Sequence, residues 1–143
     1  MIRRAVFSDT AVIAALAAGM WDHSLQELTD DFTALLKDES AAVYLATENG
    51  RAIGFAQCQL RHDYVEGTTS RPVAYLEGVY ILPEYRKQGH AAALLQACEA
   101  WAREQDCTEF ASDCELTNAE SLHFHLNTGF REANRIICFV KEL

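Results

Sequence analysis

A chain of 143 residues, half of them apolar, is long enough to bury one core and short for a division into several domains, so residues 1–143 read as a single domain. Twelve Lys and Arg against 21 Asp and Glu leave a net charge of −9, which speaks against nucleic acid as a partner, because a phosphate backbone needs a basic face. No apolar run is long enough to cross a bilayer, and five scattered cysteines without a C-x-x-C pair read as reduced thiols of a cytoplasmic protein, with neither a disulfide framework nor a metal site. An acidic field attracts cations, polyamines among them, although a charge of this size also serves solubility alone.

In chain order, Ile2 to Phe7 reads as a first strand rather than a secretory leader. Ser8 or Asp9 is expected to cap a helix that runs to about Ala18, with Val12, Ile13 and Leu16 on one face, and Gly19 ends it. Met20 to Ser24 is a polar loop carrying Trp21 and His23. A second helix follows, with Leu25, Leu28, Phe32, Leu35 and Leu36 as its apolar stripe. Ala42–Thr47 and Ala52–Leu60 flank Asn49-Gly50, a hairpin turn signal. Arg61 to Arg71 is a polar loop containing Tyr64. Further on come a helix over about His90–Gln105, a strand over Thr108–Cys114 with Asp113 near its end, a short helix opened by Asn118, and a last strand over Ile136–Lys141. Helices and strands in this mixture predict one α/β domain.

The stretch from Val73 to Ala91 organises the rest. Val73, Tyr75, Val79 and Ile81 are apolar on one parity, Ala74, Leu76 and Leu82 on the other, as in a strand covered on both faces. Glu77 interrupts it. A charge there needs a partner, and either a bound ammonium, a row of waters or an ion pair such as one with Arg61 would serve. Pro83 ends the strand. Arg86-Lys87-Gln88-Gly89-His90-Ala91 then leads into the long helix. A glycine-bearing turn from strand to helix is either ordinary punctuation or an anion site, in which free N–H groups and the helix dipole point at a phosphate.

That turn resembles motif A of the GNAT acetyltransferases, whose loop reads Gln/Arg-x-x-Gly-x-Gly/Ala; here it is Arg86, Gly89 and Ala91. Downstream, Asn118, Ser121, His125, Gly129 and Phe130 are spaced like the N-x-x-A-x-x-x-Y-x-x-x-G-F of many GNAT enzymes, with His125 where the tyrosine stands. From Ser70 to Phe130 the chain resembles the aminoglycoside 6′-N-acetyltransferases in particular. The resemblance implies a mixed, mostly antiparallel sheet splayed between its two middle strands and flanked by helices. It also implies acetyl-CoA as co-substrate, held by the backbone of Val79, Tyr80 and Ile81, by the loop Arg86, Lys87, Gln88, Gly89, His90 and Ala91, and by Asn118. Trp21, His23, Tyr64, Glu77 and Asp113 match positions around the drug, and Asn134 stands where a further acidic contact is found in relatives.

Glu77 is then the candidate base. His125, whose ordinary pKa lies near operating pH, is the candidate acid or else a packing histidine. Asp113 is a drug contact or a turn former, Trp21 a drug contact or core, and Asn118 a cap as well as a ligand. The expected function is direct acetyl transfer to the 6′-amine of an aminoglycoside, with no metal and no membrane or nucleic-acid partner; a homodimer is compatible with the resemblance. The alternatives are a GNAT enzyme for another small amine, such as a polyamine or an amino acid, or an acyl-CoA-binding module without catalysis.

Overall fold

A computed structural model describes all residues, Met1–Leu143. Its strands are β1 (Ile2–Arg4), β2 (Ala41–Glu48), β3 (Arg51–Arg61), β4 (Val73–Ile81) and β5 (Phe110–Ser112); its helices are α1 (Thr10–Ala17), α2 (Leu25–Leu35), α3 (His90–Glu104) and α4 (Ala119–Asn127). The strands form one sheet in the order β1-β2-β3-β4-β5. The first four pair antiparallel, and β5 joins β4 in parallel after the α3 crossover. This is the mixed, mostly antiparallel sheet flanked by helices that the resemblance implies.

Strand alternation divides the core into two layers. Ala42, Ala56, Cys58, Ala74 and Leu76 meet Leu94, Leu95, Cys98 and Trp101 of α3 on one face. Val43, Leu45 and Phe55 meet Ile13, Leu16, Leu28 and Phe32 of α1 and α2 on the other. The hairpin turn between β2 and β3 places Asn49 and Gly50 at φ of 51° and 77°, the left-handed pair that a two-residue connection requires. Ser24 caps α2 by accepting from the N–H of Glu27 at 3.1 Å, while Glu27 accepts in return from the Ser24 N–H at 2.9 Å.

Two expectations are corrected. A short 3-10 turn over Phe7–Asp9 precedes α1, and Asp9 does not cap that helix. Its carboxylate turns back to accept from the Val6 N–H at 2.8 Å and from both terminal nitrogens of Arg3 at 2.8 Å, so it ties the end of β1 to the start of the helical layer. The second correction is Ile136–Lys141. These residues have strand composition but pair with no edge of the sheet, and Ile136, Ile137, Phe139 and Val140 are 71–94% exposed. Composition supplies only a preference; a strand exists through its hydrogen-bonded neighbour, and this segment has none within the chain. The neighbouring Asn134 is tied instead to the loop before β4, donating to Glu66 at 2.9 Å.

The Arg3 hydrogen bonds, together with the Val6 N–H, hold the Asp9 carboxyl below its usual range. Its contribution to stability is therefore present above the ordinary carboxylate range and is lost as pH falls through the lowered folded value. Asp9→Asn is expected to lower the unfolding free energy at pH 7 by about 1–2 kcal/mol, a backbone cap plus a partly exposed ion pair. Urea titrations at pH 7 and pH 3 should show the difference from wild type shrinking at the lower pH.

Candidate active site

The β4–β5 ladder is short: it runs from Ala74↔Phe110 to Leu76↔Ser112 and stops. Beyond Leu76, β4 continues with β3 alone, so its other edge is open. Leu82 donates its N–H to Ile53 on the β3 side at 2.8 Å. The two-residue alternation of a strand then turns the backbone of Tyr80 toward β3 and that of Val79 and Ile81 toward the open edge. Arg86 returns along this edge and donates to the Ile81 carbonyl at 2.9 Å.

At the end of that edge lies the predicted anion loop. Lys87 and Gly89 both take left-handed conformations, with φ of 60° and 86°, which curls the backbone into a cup before α3 begins at His90. The N–H groups of residues 87–91 have no backbone acceptor in the chain, and a Cβ built on Gly89 would meet nothing within 4 Å. The glycine is therefore required by its φ, and the space above it is free. His90 adds a buried Nε2 without a partner. Free donors, an unoccupied approach and a helix dipole together fit a pyrophosphate.

Glu77 sits at the corner where the cleft opens. Gln57 pairs Gly78 and Cys58 pairs Leu76, so Glu77 is the extra residue of a β-bulge, a device that re-aims a side chain. Its carboxylate is held by both ends of the Arg61 guanidinium, from Nε at 3.0 Å and from a terminal nitrogen at 2.9 Å. Of the partners open to Glu77, the structure chooses the ion pair. The Arg61 guanidinium also lies 3.4 Å above the centre of the Tyr75 ring, and the Tyr75 hydroxyl donates to Asp113. Burial, with that hydrogen bond next, pushes the Tyr75 phenol well above its usual value, so it remains a donor. Glu77, Arg61, Tyr75 and Asp113 thus form one continuous chain of contacts, in which Tyr75 is a link that strand composition alone did not single out.

Trp21 covers the strand next to Glu77. A Cβ on Gly78 would come within 2.7 Å of its indole, so only glycine admits this approach. The indole stacks on Phe32 and meets Phe55 edge-on, with ring centres 6.3 and 6.0 Å apart. Trp21 is therefore both core and wall. It lines a cavity of about 320 Å³ with His23, Leu28, Asp31, Phe32, Leu35 and Gln57. Asp31 is an acidic lining residue that the α2 pattern concealed, since it reads as an ordinary solvated position. Tyr64 is exposed, away from this cavity lining.

On the other side of the cleft apex, Asn118 caps α4, its side chain accepting from the Ser121 N–H at 3.0 Å. His125, one turn on, places Nδ1 at 2.6 Å from the Ser121 carbonyl oxygen and Nε2 at 2.7 Å from the Ser112 hydroxyl. A carbonyl only accepts, so Nδ1 carries a hydrogen and Nε2 faces the hydroxyl. Phe124 and Phe130 pack edge-on against the ring. Ser112 is the last residue of β5, and its hydroxyl also lies 3.3 Å from the Leu76 carbonyl, at the point where the strands part. His125 is thus fixed toward the cleft through Ser112, a residue that spacing gave no reason to choose.

Comparison with known proteins places these features in context. The profile of the acetyltransferase (GNAT) family matches residues 9–130. The chain is 42% identical over 142 residues to an aminoglycoside N(6′)-acetyltransferase type 1 of Stenotrophomonas maltophilia, covering 96% of this chain and 90% of that one. It superposes on the crystal structure of an aminoglycoside 6′-N-acetyltransferase of Acinetobacter haemolyticus with a TM-score of 0.94 at 34% identity, covering 100% and 99% of the two chains. The structure of AAC(6′)-Iy in complex with the bisubstrate analogue CoA-S-monomethyl-acetylneamine matches with a TM-score of 0.95 at 34% identity, covering 100% and 98%.

The packing of Trp21 on Gly78 yields a direct test. Gly78→Val must displace the indole, opening the wall beside Glu77. A red-shifted tryptophan emission is expected, with a far-UV spectrum close to wild type, because β4 keeps its neighbours.

Proposed function

The chain belongs to the GNAT acetyltransferase family, and from that premise we propose that it transfers the acetyl group of acetyl-CoA to the 6′-amine of aminoglycosides, an antibiotic-resistance activity. The observation that carries the reading is the position of Glu77: an acidic bulge residue at the mouth of a cleft whose floor is an open strand edge and whose far end is an anion cup. The relative captured with CoA joined to an acetylneamine supports the same pairing of co-substrate and drug.

Acetyl-CoA supplies an acetyl group activated as a thioester. The open edge at Val79 and Ile81 receives its pantetheine arm in the manner of an added strand, and the amides of Gln88 to Ala91, with Arg86 and Lys87 nearby, hold the pyrophosphate. Asn118, the cap of α4, is a further contact for the co-substrate in this reading. The Val79 N–H serves to polarise the acetyl carbonyl. The drug lies across Glu77 and Asp113, with Trp21, His23 and Asp31 along the adjoining cavity and Tyr64 at the exposed rim. Its amine, with a pKa of roughly 8–10, must lose a proton before it attacks, and Glu77 accepts that proton directly or through water. One proton must also reach the leaving sulfur. The Ser112 hydroxyl is the group at the apex that can deliver it, and His125, when it carries a proton on both ring nitrogens, replaces it from Nε2. No thiol is needed as acyl acceptor: the buried Cys98 thiol, beside Cys58, is pushed well up and kept protonated.

All five cysteines are free, and no helix is long and apolar enough to cross a membrane; we place the activity in the cytoplasm. We also propose a homodimer, because the exposed apolar side chains of residues 136–140 and the outer edge of β5 are surfaces that a second copy would cover.

Thiol release from acetyl-CoA with kanamycin, followed by NMR of the product, tests the reaction and its position. Acetyl is expected on the 6′ nitrogen, and paromomycin, with a hydroxyl there, should turn over far more slowly than neomycin. Acetyl on another ring nitrogen would defeat the regiochemistry. Glu77→Gln should lower kcat by about 10²–10⁴-fold, the usual worth of general acid–base catalysis.

Thr and Val have nearly the same shape, which isolates the Ser112 hydroxyl. Ser112→Thr is expected to keep most of kcat and Ser112→Val to lose about tenfold or more with little change in KM. Equal rates for the two variants would remove Ser112 from the proton path.

A further inference from the structure

Both acidic side chains assigned to the drug already have partners within the chain. Glu77 is gripped by Arg61 through two hydrogen bonds, and Asp113 accepts from Tyr75, over whose ring the same guanidinium lies. The Arg61 side chain is 41% exposed while that of Glu77 is 20% exposed, so the cation sits on the open side of the carboxylate. Two guanidinium N–H groups occupy one lone pair on each oxygen of Glu77, so an ammonium that takes those sites must displace them. Resting on the proposed role of Glu77 as the residue that meets the amine, we propose that Arg61 is a specificity-determining residue: an internal counter-ion that stands in for the substrate ammonium at Glu77 and must be displaced when the drug binds.

The consequence is a charge threshold. A substrate with one amine exchanges one cation for another at Glu77 and forfeits both the two-point geometry and the stacking on Tyr75, so it gains little. A polycation brings further ammonium groups for Asp113 and for Asp31 in the adjoining cavity, and these make the exchange favourable. Residue 61 can supply the threshold because it is anchored at the end of β3, opposite Val73, one strand away from Glu77 and outside the bulge. It can leave Glu77 without disturbing the ladder. The exposed half of the side chain already faces solvent, so displacement needs rotation about side-chain bonds and no movement of the backbone.

Removing the guanidinium acts on affinity in one direction by two routes. It takes away the competitor for Glu77, and it takes away a positive charge that repels the incoming polycation. Arg61→Met keeps a flexible apolar stem over Tyr75. Its free form should be less stable to heat than wild type, since a carboxylate loses its partner. Kanamycin should bind it about tenfold more tightly by calorimetry, the equivalent of one charge-assisted hydrogen bond. A sugar with a single amine, methyl 6-amino-6-deoxyglucoside, gains mainly by the first route, so its KM should fall by a smaller factor than that of kanamycin.

A second measurement needs no variant. In wild type the Arg61 Nε–H resonance, protected by Glu77, should move or exchange faster when kanamycin is added. Arg61→Met that binds kanamycin no tighter than wild type, or an Nε–H signal that kanamycin leaves in place, would overturn the counter-ion role while thiol release by the wild type kept the functional reading intact. A wild type that releases no thiol with kanamycin would overturn that reading, and this inference with it.

Discussion

The parting of β4 from β5 after a three-residue ladder is the constraint on which the other features depend. Parallel strands joined by a helical crossover usually run together under that helix. Here α3 packs against β4 from Ala74 to Ile81, while β5 ends at Ser112. The backbone of Val79 and Ile81 is thereby left without a strand neighbour, which in a finished core would be a serious cost in unmet hydrogen bonds. The cleft is acceptable because it faces solvent and a ligand that can replace the missing strand. The groups proposed to act border this parting: Glu77 on the bulge immediately beyond it, Ser112 at its apex, and the cup at Gly89 where the open edge runs out.

Charge is arranged with the same economy of position. The chain is strongly acidic, yet the anion cup is bracketed by Arg86 and Lys87, and Arg86 is fixed by the Ile81 carbonyl rather than by a carboxylate. Elsewhere Glu77 is held by Arg61, Asp113 by Tyr75, and Asp31 lines the cavity beside Trp21. By the proposed reading the anionic co-substrate and the cationic acceptor meet along β4, the first beyond Ile81 and the second at Glu77. Arg61 is the exception within the acidic half, and its position against Glu77 and Tyr75 ties together residues that would otherwise be separate negative or polar points.

Much of this was legible in the sequence where backbone chemistry dictated it. Gly89 marked a turn that opens a helix, Asn118 had the position of a cap, and Asn49-Gly50 had the signature of a tight hairpin; the structure has all three, with Gly89 at a φ of 86°. Glu77 stood out because a charge in a doubly apolar strand demands an explanation. What pattern could not supply was the choice of partner. That Tyr75 links Arg61 to Asp113, that Asp9 reaches back to Val6 instead of forward along α1, and that His125 settles on Ser112 are outcomes of tertiary distance. Each depends on elements that the chain brings together only after folding. The tail is the converse case: residues 136–141 have the composition of a strand, but pairing is not a local property.

In the proposed proton path, the histidine at position 125 keeps a place in the site by a different route. A phenol presents its hydroxyl directly at the end of a long rigid ring, whereas an imidazole is shorter and carries two nitrogens with different tasks. Here Nδ1 is engaged by the Ser121 carbonyl one turn back on α4, which fixes the tautomer and the ring plane, and Phe124 and Phe130 pack around it. The remaining nitrogen reaches only to Ser112, and that hydroxyl, at the end of β5, covers the last step toward the cleft. A two-residue path replaces a single side chain, with the short strand β5 supplying the missing reach. The same brevity of β5 that opens the cleft therefore puts a hydroxyl at its apex.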